Sequence, residues 1–392
     1  MQMQSLSATK RYVSLDVLRG ISVAFMCIVD NPGTWIFIFP PLRHASWVGC
    51  TPTDLVFPFF LFCTGCAMAF SFSRQERVSN LTYWKVIKRG LLIFLVGLLC
   101  NLFPFFPTYL YEPSATFGDN YLYWLSHRRI FGVLQRIGIS YLIAGLIALW
   151  LKKPARILLA IGVLMAVYTL VFLVFGTEPG PFTLEGNVSR KIDLALLGDG
   201  HVYHGHHNAE GYPVAFDPEG PLGSVTGACT ALLGYLIGSL ILKNGRRDSA
   251  APSLAQSSLV PTITRIMAYG VLSLVLGMIL GLWIPIIKPL WTASFVLYSG
   301  GWAMIALAIL MYLIEVRGYA KPFIPFKIMG TNALVAFVVC ALLATTLPRL
   351  GFDPSRWFGA NEYLSLLWAL IFTLFIFCIQ WALYRKKIII KV

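Results

Sequence analysis

The chain has 392 residues, of which 57% are hydrophobic and only 12% are charged. A soluble domain carries about 25% charged residues, so this composition excludes an ordinary soluble protein and indicates a helical membrane protein. The net charge of +14 does not indicate nucleic-acid binding, because most basic residues fall in alternate connecting segments between apolar stretches. Cytoplasmic loops of membrane proteins show this asymmetry.

Ten apolar stretches approach the roughly 20 residues that cross a bilayer. They lie near 14–31, 54–72, 86–106, 130–150, 156–176, 221–242, 262–283, 290–314, 328–347 and 363–384. The basic excess on one side then places both termini in the cytoplasm. We therefore predict an all-α polytopic bundle, with residues 1–392 in a single domain and extracytosolic loops near 32–53, 104–129 and 177–220. No cleavable signal peptide is expected, because the first apolar run lacks an A-x-A-like site.

Within the first predicted span, Asp16 and Arg19 are three residues apart and therefore share a helix face on which they can pair. Farther along, Cys63 and Cys66 have CxxC spacing, but they lie inside a helix without a second pair that would complete a zinc site. Packing of small residues is the simpler interpretation, and no disulfide framework is implied.

The densest group of polar residues at a predicted membrane boundary lies between the first two spans. Its polar and aromatic members are Asp30, Asn31, Arg43, His44, Trp47 and Asp54. A charged group inside a bilayer costs roughly 2.5–3.5 kcal/mol, so such groups mark function or a buried pairing. We interpret His44 as the reactive group, and we assign Arg43 and Trp47 to substrate contacts.

Further polar candidates follow along the chain. Gln135 and Arg136 lie about a turn and a half inside the fourth span, where an arginine needs a partner or must extend to the interface. The longest loop carries Asp193, His201, Asp217 and Glu219, which fit a polar, amine-bearing ligand. Its H-x-x-H-x-H-H run would suit zinc or copper, but exposed histidine-rich loops often bind no metal, and we predict none.

Several segments carry a resemblance to a known family. They are S-L-D-V-L-R-G (14–20), V-D-N-P-G (29–33), H-A-S-W-V-G (44–49), D-L-V-F-P-F-F-L-F (54–62), G-V-L-Q-R-I-G (132–138), D-L-A-L-L-G-D-G-H-V-Y (193–203) and D-P-E-G-P-L-G (217–223). In this order they resemble the transmembrane acetyltransferases of the heparan-α-glucosaminide N-acetyltransferase family and their bacterial relatives. The resemblance covers most of the first six spans, whereas the last four match mainly in hydropathy.

The resemblance implies transfer of acetyl from cytosolic acetyl-CoA to a sugar amine across the membrane, with His44 as the catalytic histidine. The family's assisting asparagine maps to the turn at 29–33, where this chain has Asp30-Asn31 in place of the usual Asn-Asn. Either residue is then a candidate for that role. We expect a bacterial relative without the lysosomal member's luminal domain, placed in the inner membrane and forming a homodimer.

Two routes fit these residues. In one, His44 is the general base, since an unperturbed imidazole titrates near pH 6.5, and Asp30 or Asp54 orients its other nitrogen. In the other, His44 itself carries the acetyl group. Asn31, or Gln135 with Arg136, would supply donors to the oxyanion.

The nucleotide end of CoA carries phosphates, and we predict that it binds at the basic face. The residues assigned to cofactor binding are Lys85, Lys88, Arg89, Arg246, Arg247 and Asn332. Alternative functions are a proton-coupled transporter of a sugar or small solute, an O-acyltransferase acting on a sugar hydroxyl, and a non-catalytic scaffold. No internal repeat is evident, which weakens the transporter hypothesis.

Overall fold

The structure is a computed structural model that describes residues 12–73, 79–107, 113–248 and 255–390, without the side chains of 245–248 and 255–258. The first half of the chain forms α1 Val13–Val29, α2 Val56–Phe72, α3 Asn80–Leu102, α4 Phe117–Ser126, α5 Val133–Leu151, α6 Pro154–Phe175 and α7 Val188–Leu197. The second half forms α8 Gly223–Asp248, α9 Ala255–Leu280, α10 Ala293–Met311, α11 Ile324–Thr331, α12 Ala333–Arg349, α13 Ser355–Phe358 and α14 Glu362–Arg385. Short 3-10 turns at Pro40–Leu42 and Pro52–Leu55 lie between α1 and α2.

Helices lie at all ten stretches that were predicted to span the membrane. Within the described ranges, seven helices are long and apolar enough to cross a membrane, or eight if α11 and α12 count as one bent span. The difference from ten lies in α1, which has 17 residues, and in α3, whose first half carries Lys85, Lys88 and Arg89. The chain is a multi-pass helical membrane protein, and ten spans with cytoplasmic termini stay a prediction.

The helices divide into a central group and a peripheral group. Most of the apolar window of α8 and of α5 is buried inside the protein (67% and 61%), whereas only 22% of that of α6 and of α14 is. Because α6 and α14 are apolar on their exposed sides as well, those sides face lipid. The core is therefore built on α2, α5, α8 and α10.

A close helix contact joins α2 to α8. A Cβ atom added at Gly65 would overlap the carbonyl of Ala231, and one added at Gly234 would overlap the carbonyl of Phe62. The two backbones therefore touch directly, as small residues allow in membrane bundles. Cys63 and Cys66 are buried free thiols in this part of α2, in agreement with a packing role.

The chain bends by 71° between α11 and α12, and Asn332 occupies the bend. Its Nδ2 donates to the carbonyl of Ile388 at 2.9 Å, and its Oδ1 accepts from the amide of Ile390 at 3.0 Å. Both polar groups of this buried side chain are thus paired with backbone. On α1, the predicted pair of Arg19 and Asp16 forms, with Nη1 3.8 Å from Oδ1.

One end of the bundle carries the long connections, and we call it the loop end. There α1 ends, and α2, α5, α8 and α10 begin. The connections contain structure of their own: α4, α7, and an antiparallel pair of two-residue strands, β1 His206–His207 and β2 Pro213–Val214. The all-α prediction is correct apart from this small hairpin in the described chain.

Candidate functional site

A histidine and an aspartate form a close pair at the loop end. His44 Nδ1 lies 2.7 Å from Asp54 Oδ1. The His44 side chain is 45% exposed, whereas Asp54 is only 2% exposed. A proton on Nδ1 is donated to the carboxylate, which leaves Nε2 unprotonated and available to a ligand. This is the arrangement by which a carboxylate fixes the tautomer of a general base.

The local fold presents Asp54 to this pair. Pro52–Leu55 forms a 3-10 turn that leads into α2, and Thr51 and Asp54 make a capping box at its start. Asp54 Oδ2 accepts from the amide of Ala45 at 3.0 Å, the amide of Thr51 at 3.0 Å and the hydroxyl of Thr51 at 3.1 Å. The same carboxylate thus ties the histidine loop to the start of α2.

Lys288 joins the pair from the connection between α9 and α10. Its Nζ lies 3.4 Å from Asp54 Oδ1 and 3.1 Å from His44 Nδ1. Since Nδ1 donates its proton to Asp54, the carboxylate is the acceptor for the ammonium group. The buried Asp54 charge is therefore balanced by a cation as well as by hydrogen bonds.

The pair opens into a cavity of about 340 Å³ that extends into the bundle. Its walls include Ser22, Val23, Met26, Val29, Asp30, His44, Asp54, Phe57, Phe60, Arg129, Arg136, Ile137, Tyr203, His206, Glu219, Lys288, Trp291 and Phe337. Ser22 lies eight residues before Asp30 on α1, so the cavity reaches roughly 12 Å inward at 1.5 Å per residue. His44 thus faces an internal space rather than lipid.

Arg129 forms the second charged group of the cavity wall. Its Nε and Nη2 donate to the two oxygens of Asp217 at 2.8 and 2.6 Å, and Nη2 also donates to Glu219. Burial acts to lower the pKa of Arg129, but these carboxylates hold it above its ordinary value. Burial acts to raise the pKa of Glu219, and Arg129 keeps it below its ordinary value. Both groups are therefore charged at neutral pH.

An open hollow of about 560 Å³ lies next to the cavity, and Trp47 and His206 line both spaces. The other side chains of the hollow come from the 182–185 and 205–209 segments and from Pro285 and Ile287. Trp47 Nε1 donates to the carbonyl of Phe182 at 2.8 Å, and the indole packs edge-on against His206 and Phe216. Trp47 is thus a fixed wall between the hollow and the cavity.

Among the predicted residues between α1 and α5, Asn31, Arg43 and Gln135 do not line the cavity. Arg43 turns back on its own loop, where its guanidinium donates to the carbonyls of Ile38 and Ile36. Asn31 donates to the carbonyl of Cys27 at 3.1 Å and contacts Cys340 Sγ at 3.2 Å, so Asp30 is the residue of this turn that faces the cavity. Gln135 is buried and donates to the carbonyl of Ile130 at 2.8 Å.

Of the residues predicted from the long loop, some lie at the cavity and others lie away from it. Glu219 lines the cavity, and Asp217 holds Arg129 beside it. His201 Nδ1 lies 2.7 Å from the carbonyl of Arg128 and is outside the cavity wall. Asp193 is fully buried beneath Asp217, whose amide donates to its Oδ2 at 3.3 Å. In the described residues, no group of three or more His, Cys, Asp or Glu side chains has an arrangement that suits a metal ion.

Those residues predicted to hold CoA whose side chains are described lie outside this cavity wall. Lys85, Lys88 and Arg89 lie in the first half of α3, and the Arg89 guanidinium stacks over Tyr141 at 5.1 Å. Asn332 pairs with backbone at the α11–α12 bend, as described above. The side chains of Arg246 and Arg247 lie outside the described residues.

Asp193 provides a test of the buried layer under the site. Burial, together with the charge of Asp217, raises its pKa from 3.8 to about 7. Because protonated Asp193 is favoured in the folded state over the unfolded state, the folded protein is more stable at low pH. This stability is lost as the pH rises from about 4 to about 7. We expect Asp193→Asn to flatten the fall in melting temperature across that range, measured on purified protein in detergent. An unchanged slope would contradict the assignment.

Lys288 provides a test of the charge balance at the pair. We expect Lys288→Gln to lower turnover by about 10-fold, because Asp54 loses the cation 3.4 Å from its Oδ1. Lys191→Gln is the matched control, since Lys191 donates to the carbonyl of Phe175 and is absent from the cavity wall. Steady-state kcat together with the melting temperature makes the comparison. If folded Lys288→Gln and Lys191→Gln proteins have equal kcat, Lys288 has no role in turnover.

The fold and the site define a class: a multi-pass membrane protein with a carboxylate-oriented histidine at the mouth of an internal cavity. The model of the family described as heparan-alpha-glucosaminide N-acetyltransferase, catalytic, matches residues 11–184. The chain is also 26% identical to the heparan-alpha-glucosaminide N-acetyltransferase of Mus musculus and 27% identical to that of Homo sapiens, with 98% and 97% of this chain covered. The chain is therefore similar to the heparan-alpha-glucosaminide N-acetyltransferases over nearly its whole length.

The matches also show how much of the relatives this chain represents. The chain covers 61% of the mouse protein and 60% of the human protein. The matched family model includes α1, α2, α3 and α5, together with the segment that carries His44 and Asp54. Lys288, Arg129's partners Asp217 and Glu219, and α8 lie beyond residue 184, so the cavity combines residues from inside and outside the family match.

Proposed function

We propose that this protein transfers an acetyl group from acetyl-CoA to the amine of an amino sugar at the loop end of the bundle. The observation that carries the proposal is the His44–Asp54 pair, with Nδ1 2.7 Å from Oδ1 at the mouth of the cavity. The similarity to proteins named for N-acetyl transfer supports the chemistry. The proposal includes the acceptor class and the use of acetyl-CoA. It also includes a location in the inner membrane of a bacterium and a homodimeric state.

The reaction follows from the available nitrogen of His44. The acceptor amine attacks the carbonyl carbon of the thioester, so that a C–N bond forms and the C–S bond breaks. His44 Nε2 takes the proton that the amine loses and returns it to the departing CoA thiolate. Asp54 does not accept that proton; it stabilises the imidazolium that forms for part of the cycle.

Asp30 supports the choice of an amine as the acceptor. It lies in the cavity wall together with His44, and in its ionised form this carboxyl group would pair with an acceptor in its ammonium form. The ammonium must lose a proton before it attacks, and the imidazole is the base beside it. A hydroxyl acceptor would gain no such attraction, so the O-acyltransferase alternative receives less support from this wall.

A vesicle assay tests the proposal. Purified protein is reconstituted, acetyl-CoA with a labelled acetyl group is supplied on one side, and a panel of amino sugars with their N-acetylated and deaminated analogues on the other. We expect label only on sugars with a free amine. Labelled hydroxyl-only sugars would favour O-acyl transfer, and uptake driven by a proton gradient without a labelled product would favour transport. Label retained on the protein before the acceptor is added would identify the route through acetyl-His44.

A further inference from the structure

Arg136 is a buried cation that, among the described residues, has no carboxylate at ion-pair distance. It lies in the first turn of α5, is 2% exposed, and lines the cavity. Its Nη2 makes a single 3.5 Å bond to the carbonyl of Gly220, and its Nε has no partner among the described residues. In the part of the chain that the structure describes, no carboxylate oxygen lies within 4.0 Å of its guanidinium nitrogens. Its side chain is enclosed by protein and does not reach solvent.

The surroundings fix the Arg136 side chain in place. Its guanidinium stacks over the ring of Trp291, with 5.1 Å to the centroid. Trp291 has a φ of 53°, a left-handed conformation that bulky residues rarely adopt. The indole is nevertheless fixed, because its Nε1 donates to Thr230 at 3.1 Å and its ring packs against Phe57. A strained residue held in this way is typical of a binding site.

The neighbouring backbone adds positive charge to the same place. The guanidinium packs on Gly223, where a Cβ atom would overlap it, and Gly223 is the first residue of α8. The N-terminus of a 26-residue helix carries a partial positive charge, and the first turn of α8 has no acidic residue. The buried hydroxyl of Ser224 also lacks a partner among the described residues.

Three acidic residues in and beside the cavity are already paired with other cations. Glu219 and Asp217 both accept hydrogen bonds from Arg129, which uses two carboxylates for one cation. Asp54 is paired with His44 and Lys288. A buried charge without a partner is costly, so proteins keep one where a ligand supplies the opposite charge.

We propose that Arg136 and the start of α8 form an anion subsite inside the cavity, and that it binds a phosphate, sulfate or carboxylate group of a ligand. A guanidinium matches such groups because its planar N–H donors bind two oxygens at once. The anionic group has two possible sources, an acidic substituent on the acceptor sugar or the phosphates of CoA. The choice of these two ligands rests on the proposed function, whereas the anion subsite itself is tested by binding alone.

Two pairs of probes distinguish the sources. Glucosamine is compared with glucosamine 6-phosphate, and pantetheine is compared with 4′-phosphopantetheine, which carries the phosphate nearest the pantetheine arm of CoA. The members of each pair differ only in one phosphate group, and the phosphate-free member is called the neutral probe. Binding is measured by calorimetry and thermal shift on the purified wild type and on the Arg136→Gln, Arg136→Lys and His44→Ala variants. In one of the pairs, we expect the wild type to bind the phosphorylated probe more tightly than its neutral partner.

In that pair, we expect Arg136→Gln to weaken the phosphorylated probe by roughly 10- to 100-fold and to leave the neutral probe unchanged, because hydrogen bonds to a charged group are lost. Arg136→Lys keeps the charge but loses the second donor. Its affinity for the phosphorylated probe is therefore expected to fall between those of the wild type and Arg136→Gln. If Arg136→Gln does not fold, Arg136→Lys is used in its place. We expect its affinity for the phosphorylated probe to be about 3- to 10-fold lower than that of the wild type.

The inference is overturned if the wild type prefers neither phosphorylated probe, or if folded Arg136 variants bind it as tightly as the wild type. Equal weakening of neutral and phosphorylated probes would also overturn it, because a collapsed cavity has that effect. His44→Ala separates this result from the proposed function. We expect it to retain the phosphate preference whether or not it transfers acetyl.

Discussion

His44→Ala is expected to lower acetyl transfer by roughly 10²–10⁴-fold, the usual contribution of a positioned proton-transfer group. The side chain is 45% exposed, so its removal opens no cavity in the core, and we expect the melting temperature to change little. The loss should therefore appear as a lower kcat in folded protein. Both routes give this result, since alanine can neither take a proton nor carry an acetyl group.

The control for this variant is a second histidine of the loop end. His204 Nε2 lies 3.3 Å from Asp199 Oδ1, and the two side chains are 42% and 75% exposed. They form a similar pair outside the cavity wall. We expect His204→Ala to keep wild-type turnover in the same vesicle assay. Wild-type-like turnover by folded His44→Ala would remove His44 from the reaction.

Asp54→Asn is expected to give the second large effect, a loss of turnover of about 10²–10⁴-fold. An amide has the shape of the carboxylate, but it no longer fixes the proton on Nδ1 or stabilises the imidazolium. The carboxylate also accepts from the amides of Ala45 and Thr51, so we expect the free energy of unfolding to fall by about 1–3 kcal/mol.

Because stability and turnover both change in Asp54→Asn, they must be measured together. Kinetics at a temperature well below the melting point of both proteins isolates the catalytic part. Asp199→Asn is the matched control, because it removes the charge from the exposed pair with His204. If Asp54→Asn loses stability but keeps its kcat, the carboxylate only holds the loop to α2.

The sequence was sufficient to predict the helices and to name Asp30 or Asp54 as the partner of His44, and in the structure Asp54 is that partner. Ten apolar stretches become helices because backbone groups in lipid must bond within their own segment. His44 and Asp54 could be identified because they lie ten residues apart at one membrane boundary, where charge is costly. The choice between Asp30 and Asn31 could not be made, since it depends on how the chain leaves α1.

Other members of the site gave weaker signals. Lys288 is 244 residues from His44, and local patterns do not reveal contacts across such a separation. The available signal was a lone lysine between two prolines on the side of the membrane that is poor in cations. The loop helix α4 was also missed, although Thr116 and Asp119 form a recognisable capping box at its start.

Some polar residues that were assigned to the site do not line the cavity. Arg43 and Gln135 bond to backbone carbonyls of nearby residues, as many polar side chains do. The burial of Arg136 depends on Gly223 and Trp291, which are distant from it in sequence. Its role as an unpaired internal cation could therefore be recognised only in three dimensions.

The direct backbone contact of α2 with α8 limits how the cavity can change shape. Asp54 precedes α2, and Gly223 supports Arg136 at the start of α8. With no side chains between the helices at Gly65 and Gly234, sliding or tilting would bring peptide groups into collision. The two helices therefore form a rigid pair. This pair keeps His44, which is held by Asp54, at a constant distance from Arg136.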